Sequence, residues 1–118
     1  MKFMLVDDST TMRRIQKTQL GSIGITDIVE AGNGEEAQSV LKANMPRDVI
    51  LLDWNMPVMD GITFLKWVRA DPTFASVKVI MCTSEAEKTK VVEALKAGAN
   101  NYIVKPFTPE ALKEKLGI

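Results

Sequence analysis

Apolar and polar positions alternate along this chain in blocks short enough to be read one by one. Phe3-Met4-Leu5-Val6 is an unbroken apolar run that stops at Asp7-Asp8. A run of that length without period-two alternation predicts a strand covered on both faces, as in a parallel sheet. Val49-Ile50-Leu51-Leu52 repeats the pattern; Val77 to Cys82 and Tyr102-Ile103-Val104 predict a fourth and a fifth strand, and Ile28-Val29-Glu30-Ala31 a second, weaker one. Between them lie segments with helical spacing. Residues 10–23 predict the first helix, with Ser9 or Thr10 as N-cap, an apolar line of Met12, Ile15, Leu20 and Ile23, and Gly24 closing it. Gln19 breaks that line. Residues 35–44 predict a second helix with Ala37, Val40 and Leu41 inward, and Ile62 to Ala70 a third that Asp71-Pro72 ends. Residues 85–97 predict a fourth, stopped by Gly98. Thr108-Pro109-Glu110 supplies a cap, a first-turn proline and a first-turn acid for a fifth, which runs to about Leu116.

Strict strand–helix alternation predicts a parallel sheet with helices on both faces. Five strands are too few for a closed eight-stranded barrel. The expectation is an α/β, doubly wound open five-stranded sheet of flavodoxin type, (βα)5, in the order 2-1-3-4-5. One domain, residues 1–118, accounts for the whole length.

The strand ends carry the chemistry. Strand one ends at Asp7-Asp8, strand three at Asp53, strand four at Thr83 and strand five at Lys105. In a parallel sheet these ends share one edge, and ligands bind there at the point where the strand order reverses. Independent turn caps would seldom put three acids, a hydroxyl and a lysine at those places. Crowded carboxylates repel one another unless a hard cation sits among them. Oxygen donors alone favour Mg²⁺, with Mn²⁺ as a substitute. A carboxylate in such a site is a nucleophile toward phosphorus, and the Lys105 ammonium would neutralise oxygens that gain charge.

Composition narrows the picture further. The 15 Lys+Arg balance 15 Asp+Glu, so no net charge draws the chain to nucleic acid or anionic lipid. There is no histidine, which removes His-based metal sites, general bases and phosphohistidine chemistry from this chain. The one cysteine, Cys82, lies within an apolar run and reads as a small core residue. Asp7-Asp8 interrupt the first apolar run too early for a signal peptide, and no stretch is long enough to span a membrane. A cytoplasmic monomer is the expectation.

Asp7-Asp8, Asp53 with Met56-Pro57-Met59-Asp60-Gly61, Thr83 and Lys105-Pro106-Phe107 together resemble the receiver domains of two-component response regulators. The resemblance covers the whole chain. Met12-Arg13-Arg14, Trp54-Asn55 and Tyr102 add likeness to the stand-alone chemotaxis type. The resemblance implies that Asp53 accepts a phosphoryl group from a histidine kinase in a Mg²⁺-dependent reaction. Asp8, Asp53 and the Asn55 main-chain carbonyl would hold the ion, with Asp7 acting through water. Lys105 would pair with Asp53 and then with the phosphoryl group. Thr83 would be the switch hydroxyl, and Tyr102 the aromatic that turns inward as Thr83 moves. The Lys105-Pro106 bond would be cis, and Asn55 and Glu85 would tune loss of the phosphoryl group. Such a protein catalyses only its own phosphorylation and dephosphorylation. Its output partner would be the flagellar motor switch. The departures from the family pattern are mild: Ser84, where many receivers have Ala, and Gln19.

The face expected to meet that partner carries Lys88, Val91, Leu95, Tyr102, Ile103 and Lys115. An amphipathic acidic peptide suits such a mixed apolar and basic surface. Lys90, Lys96 and Lys113 extend it. Trp54 reads as a reporter of metal binding, and Trp67 as packing. Three other functions stand beside this one. A haloacid-dehalogenase-like phosphohydrolase needs a second acid two residues after the nucleophile, where Asn55 stands. A flavodoxin-like flavin carrier needs an uncharged phosphate loop where Asp7-Asp8 stand. A receiver cut from a longer DNA-binding regulator would look the same as this chain.

Overall fold

The computed structural model describes residues 1–84 and 90–118. Five strands, β1 (Lys2–Val6), β2 (Asp27–Ala31), β3 (Val49–Asp53), β4 (Lys78–Thr83) and β5 (Asn101–Val104), form one sheet. Every pairing is parallel, and the strand order is β2-β1-β3-β4-β5. The helices between them are α1 (Thr10–Ser22), α2 (Gly34–Ala43), α3 (Gly61–Ala70), α4 (Val91–Lys96) and α5 (Pro109–Leu116). A 3-10 turn, Pro72–Phe74, follows α3. The order expected from the alternation of elements is the one found.

Alternate strand residues feed two separate cores. Met4, Val6, Ile50, Leu52, Val79 and Met81 face α2 and α3, meeting Leu41, Phe64, Leu65 and Val68. Phe3, Leu5, Val49, Leu51, Ile80 and Cys82 face the other way, onto Leu20 of α1 and Leu112 of α5. β3 is therefore buried at all five positions. Each fully buried Leu or Ile there contributes roughly 1.5–3 kcal/mol of transfer free energy. Trp67 stacks on Phe64 at 5.8 Å and leans on Phe74 at 5.3 Å, so it packs as expected.

Four helices start on the same device. Ser9, Asn33, Asp60 and Thr108 each accept a bond from the backbone N–H three residues on. Met45-Pro46 and Lys105-Pro106 are cis.

The apolar line expected on α1 holds at Leu20 and Ile23 and fails at Ile15. Gln16 and Leu20 are its buried residues, whereas Ile15 is 46% exposed and Met12 only half-buried. Packing against the sheet sets which side of the helix turns inward, and that side includes a polar residue. Gln19, which interrupted the line, donates to the Phe107 carbonyl and so ties α1 to the loop before α5. β4 runs one residue further than expected, through Thr83, whose carbonyl accepts the Lys105 N–H at 2.6 Å. Of the fourth helix, Val91 to Lys96 is described; Glu85 and Lys88 lie outside the described residues.

Candidate functional site

The three acids meet. One carboxylate oxygen from each of Asp7, Asp8 and Asp53 lies within 4.8 Å of the others. Asp7 and Asp53 are buried, and Asp8 is exposed at the rim. The strands bring this about. Val6 of β1 pairs with Leu52 of β3, so the residues that follow each, Asp7 and Asp53, emerge side by side.

Asp53 closes β3 with its Oδ1 accepting from the Trp54 N–H at 3.0 Å and from Lys105 Nζ at 2.9 Å. The loop after it must return close to its own start. Gly61 N–H donates to the Trp54 carbonyl at 2.8 Å, and a Cβ on Gly61 would stand 2.1 Å from the Asp53 carbonyl oxygen. Only glycine permits that approach.

Burial raises the Asp53 carboxyl above its ordinary range. The Lys105 hydrogen bond opposes this, and the neighbouring Asp7 charge adds to it. Burial alone would lower the Lys105 ammonium, but its bond to Asp53 and the charges of Asp53 and Asp7 outweigh that, and the net direction is up. Lys105 Nζ also lies 3.6 Å from Asp7 Oδ2. One ammonium thus serves two buried carboxylates, which leaves the cluster short of positive charge.

The donor set fits a hard divalent cation. It is all oxygen, two of its acids are buried, and Asp7 Oδ2 is a buried oxygen with no hydrogen-bond partner among the described residues. Asn55 follows on the exposed loop, within the same segment as Asp53.

Thr83 stands at the end of β4, fully buried, and its hydroxyl has no hydrogen-bond partner among the described residues. Tyr102 is half-buried on β5, with Lys115 Nζ 4.6 Å from its ring centroid. Trp54 is 4% exposed against the core and has Lys90 Nζ 5.3 Å from its ring. Burial pushes the Cys82 thiol up to about 12, so it is an inert core group.

The surface expected on β5 and its neighbouring helices needs one correction. Ile103 is 3% exposed and packs with Phe107 and Leu112 in the α1–α5 core. Successive strand residues point to opposite faces, and Ile103 falls on the covered one. Leu95 is 43% exposed, while Val91, Tyr102 and Lys115 are half-buried.

One residue escaped the reading of the sequence as a site residue. Arg13 donates from its guanidinium to the Asp7 carbonyl and pairs with Glu30 at 3.1 Å. Its position four residues after the Ser9 cap, and so next to the cap on the helix surface, was the available signal.

The chain matches the response regulator receiver domain over residues 3–117. It is 53% identical over 118 residues to chemotaxis protein CheY1 of Helicobacter pylori, covering all of this chain and 95% of the relative. It is 46% identical over 116 residues to chemotaxis protein CheY of Pseudomonas aeruginosa, covering 98% of this chain and 93% of the relative. Among solved structures, Vibrio cholerae chemotaxis protein CheY4 superposes with a TM-score of 0.87 at 35% identity, over 98% and 95% of the two chains. The CheX-CheY-BeF3-Mg²⁺ complex from Borrelia burgdorferi matches with a TM-score of 0.88 at 31% identity, over 98% of this chain and 85% of that one. With the acids, the lysine and the hydroxyl converging on one sheet edge, the chain belongs to the response regulator receiver family and is a receiver of the CheY chemotaxis type.

Proposed function

We propose that Asp53 takes a phosphoryl group from a phosphohistidine of a histidine kinase, and that the modified state binds an output partner, the flagellar motor switch. The observation that carries the reading is the Lys105–Asp53 contact at 2.9 Å inside the acidic cluster. An Asp53 carboxylate oxygen attacks phosphorus, the P–N bond breaks, and the donor imidazole leaves with the electron pair and takes up a proton. Asp8, Asp53 and the Asn55 carbonyl would hold Mg²⁺, with Asp7 acting through water. When bound, the ion supplies positive charge to the oxygens of the transferring group. Lys105 holds Asp53 in place and has its ammonium where charge develops.

The Thr83 hydroxyl, buried and with no hydrogen-bond partner among the described residues, is available to bond an oxygen of the phosphoryl group. Its movement would leave room for Tyr102, so the two side chains form a two-state packing element. The readout surface is Val91, Leu95, Tyr102 and Lys115, with Lys88 in the undescribed segment. Beside it, Val104, Pro106, Phe107 and Ala111 line a shallow cleft with Tyr102 and Lys115. Such signalling places the chain in the cytoplasm.

Acetyl phosphate with Mg²⁺ tests the chemistry. Mass spectrometry should find one modified residue, Asp53, and Asp53→Asn should abolish it. A phosphoryl group on another residue of the wild type would overturn the reading.

A further inference from the structure

Asp7 is held at every polar atom but one. Its N–H donates to the Ala31 carbonyl at 3.1 Å, its Oδ1 accepts from the Ser9 N–H at 2.8 Å, and its carbonyl accepts from Arg13. Oδ2 alone is buried without a hydrogen-bond partner among the described residues, with Lys105 Nζ 3.6 Å away.

Arg13 is itself anchored. Its Nε lies 3.1 Å from Glu30 Oε1, and Lys17 Nζ approaches the other oxygen of the same carboxylate at 3.2 Å. The Arg13 side chain is only 17% exposed. It passes over the end of β2, where a Cβ on Gly32 would lie 3.8 Å from Arg13 Nη1 and 3.4 Å from a Glu36 carboxylate oxygen. One guanidinium therefore joins α1, the end of β2 and the corner after β1.

We infer that Arg13 is a positioning residue for the cation: by locking the Asp7 main chain against β2, it keeps Oδ2 turned into the acidic cluster. The inference rests on the reading of that cluster as a Mg²⁺ site. It also opposes the simplest electrostatic expectation. A guanidinium near the cluster repels a divalent cation, so its removal would tighten Mg²⁺ if charge alone mattered. Glu30, which Arg13 shares with Lys17, offsets part of that charge, and what Arg13 adds is geometry. Partners that orient a metal's ligands are typically worth 10–100-fold in metal affinity.

The test titrates MgCl₂ into the intact chain, followed by Trp54 fluorescence and by calorimetry. Arg13→Gln should weaken Mg²⁺ about 10-fold. Arg13→Lys, which keeps one donor for the Asp7 carbonyl, should recover most of the loss. Because Arg13 acts through Asp7, the pair Arg13→Gln with Asp7→Asn should bind no more weakly than Asp7→Asn alone. Should Arg13→Gln fail to fold, Glu30→Gln replaces it: affinity should fall beside a native Asp7 and not beside Asn. Unchanged or tighter binding in Arg13→Gln, or additive losses in the double variant, would overturn the inference and leave the metal site standing. Absence of Mg²⁺ binding in the wild type would overturn both.

Discussion

Lys105 Nζ lies 2.9 Å from Asp53 Oδ1 although 52 residues separate them along the chain. The contact is part of a buried, charge-crowded site, and it makes stability depend on pH in a defined way. Burial, the largest influence, raises the Asp53 carboxyl above its usual 3.8, and Asp7 adds to it. The folded state then binds that proton more tightly than the unfolded state does. The contribution to stability is fully present below 3.8 and is lost as pH rises through the folded value. Asp53→Asn should therefore melt above the wild type at neutral pH, and the gap should close on acidification. Thermal scans over that range check it; a variant less stable than the wild type at neutral pH would show that the Lys105 pair outweighs burial. Lys105, raised above 10.5, adds stability that is present below 10.5 and lost at higher pH.

Thr83→Ala removes a buried hydroxyl that has no partner among the described residues. The unmodified protein should lose little stability, and Asp53 should still be phosphorylated. What should disappear is most of the gain in partner affinity, on the scale of 5–150-fold for coupled sites. Calorimetry with and without beryllofluoride reads the difference. An undiminished gain in the variant would remove Thr83 from the switch.

Gln16 presents a different orphan. It is 2% exposed on α1, and its Oε1 has no hydrogen-bond partner among the described residues. A buried unsatisfied acceptor costs about 1–3 kcal/mol. Gln16→Leu should raise stability by about 1–2 kcal/mol, or about 5 °C in a chain of this size. Denaturant titration measures it, and a loss of stability would mean that the Oε1 is satisfied.

Val58 sits at φ +68° in the loop between Asp53 and α3, with 75% of its surface exposed. A β-branched side chain in the left-handed region costs roughly 1–2 kcal/mol, and burial at this position offsets little of it. Val58→Asn should stabilise the fold by about 1 kcal/mol, since asparagine tolerates that region. An unchanged denaturation midpoint would show that the loop relaxes around valine.

The central strands were legible because a strand buried on both faces must be apolar until it reaches the sheet edge, as β3 is from Val49 to Leu52 before the buried Asp53. The site was legible for the complementary reason. Charge at the end of such a strand is tolerated only where strand ends meet solvent and ligand, so Asp7, Asp8, Asp53, Thr83 and Lys105 could be assigned to one edge before any distance was known. Glycine at 61 and the caps Ser9 and Thr108 are local chemistry, and local chemistry is written in sequence.

Which face a residue takes, and what it touches across the fold, was decided elsewhere. The turn of α1 that puts Gln16 inside and Ile15 outside depends on how the helix seats against the sheet and the Phe107 loop. Ile103 and Tyr102 alternate as any strand neighbours do, but only the position of α5 makes Ile103 the covered one. The hold of Arg13 on the Asp7 carbonyl and Glu30 joins three elements that no periodicity relates. Hydrophobic pattern specifies how much of an element is buried. The contacts of single polar groups follow from three-dimensional packing, because each is worth too little to shape the pattern around it.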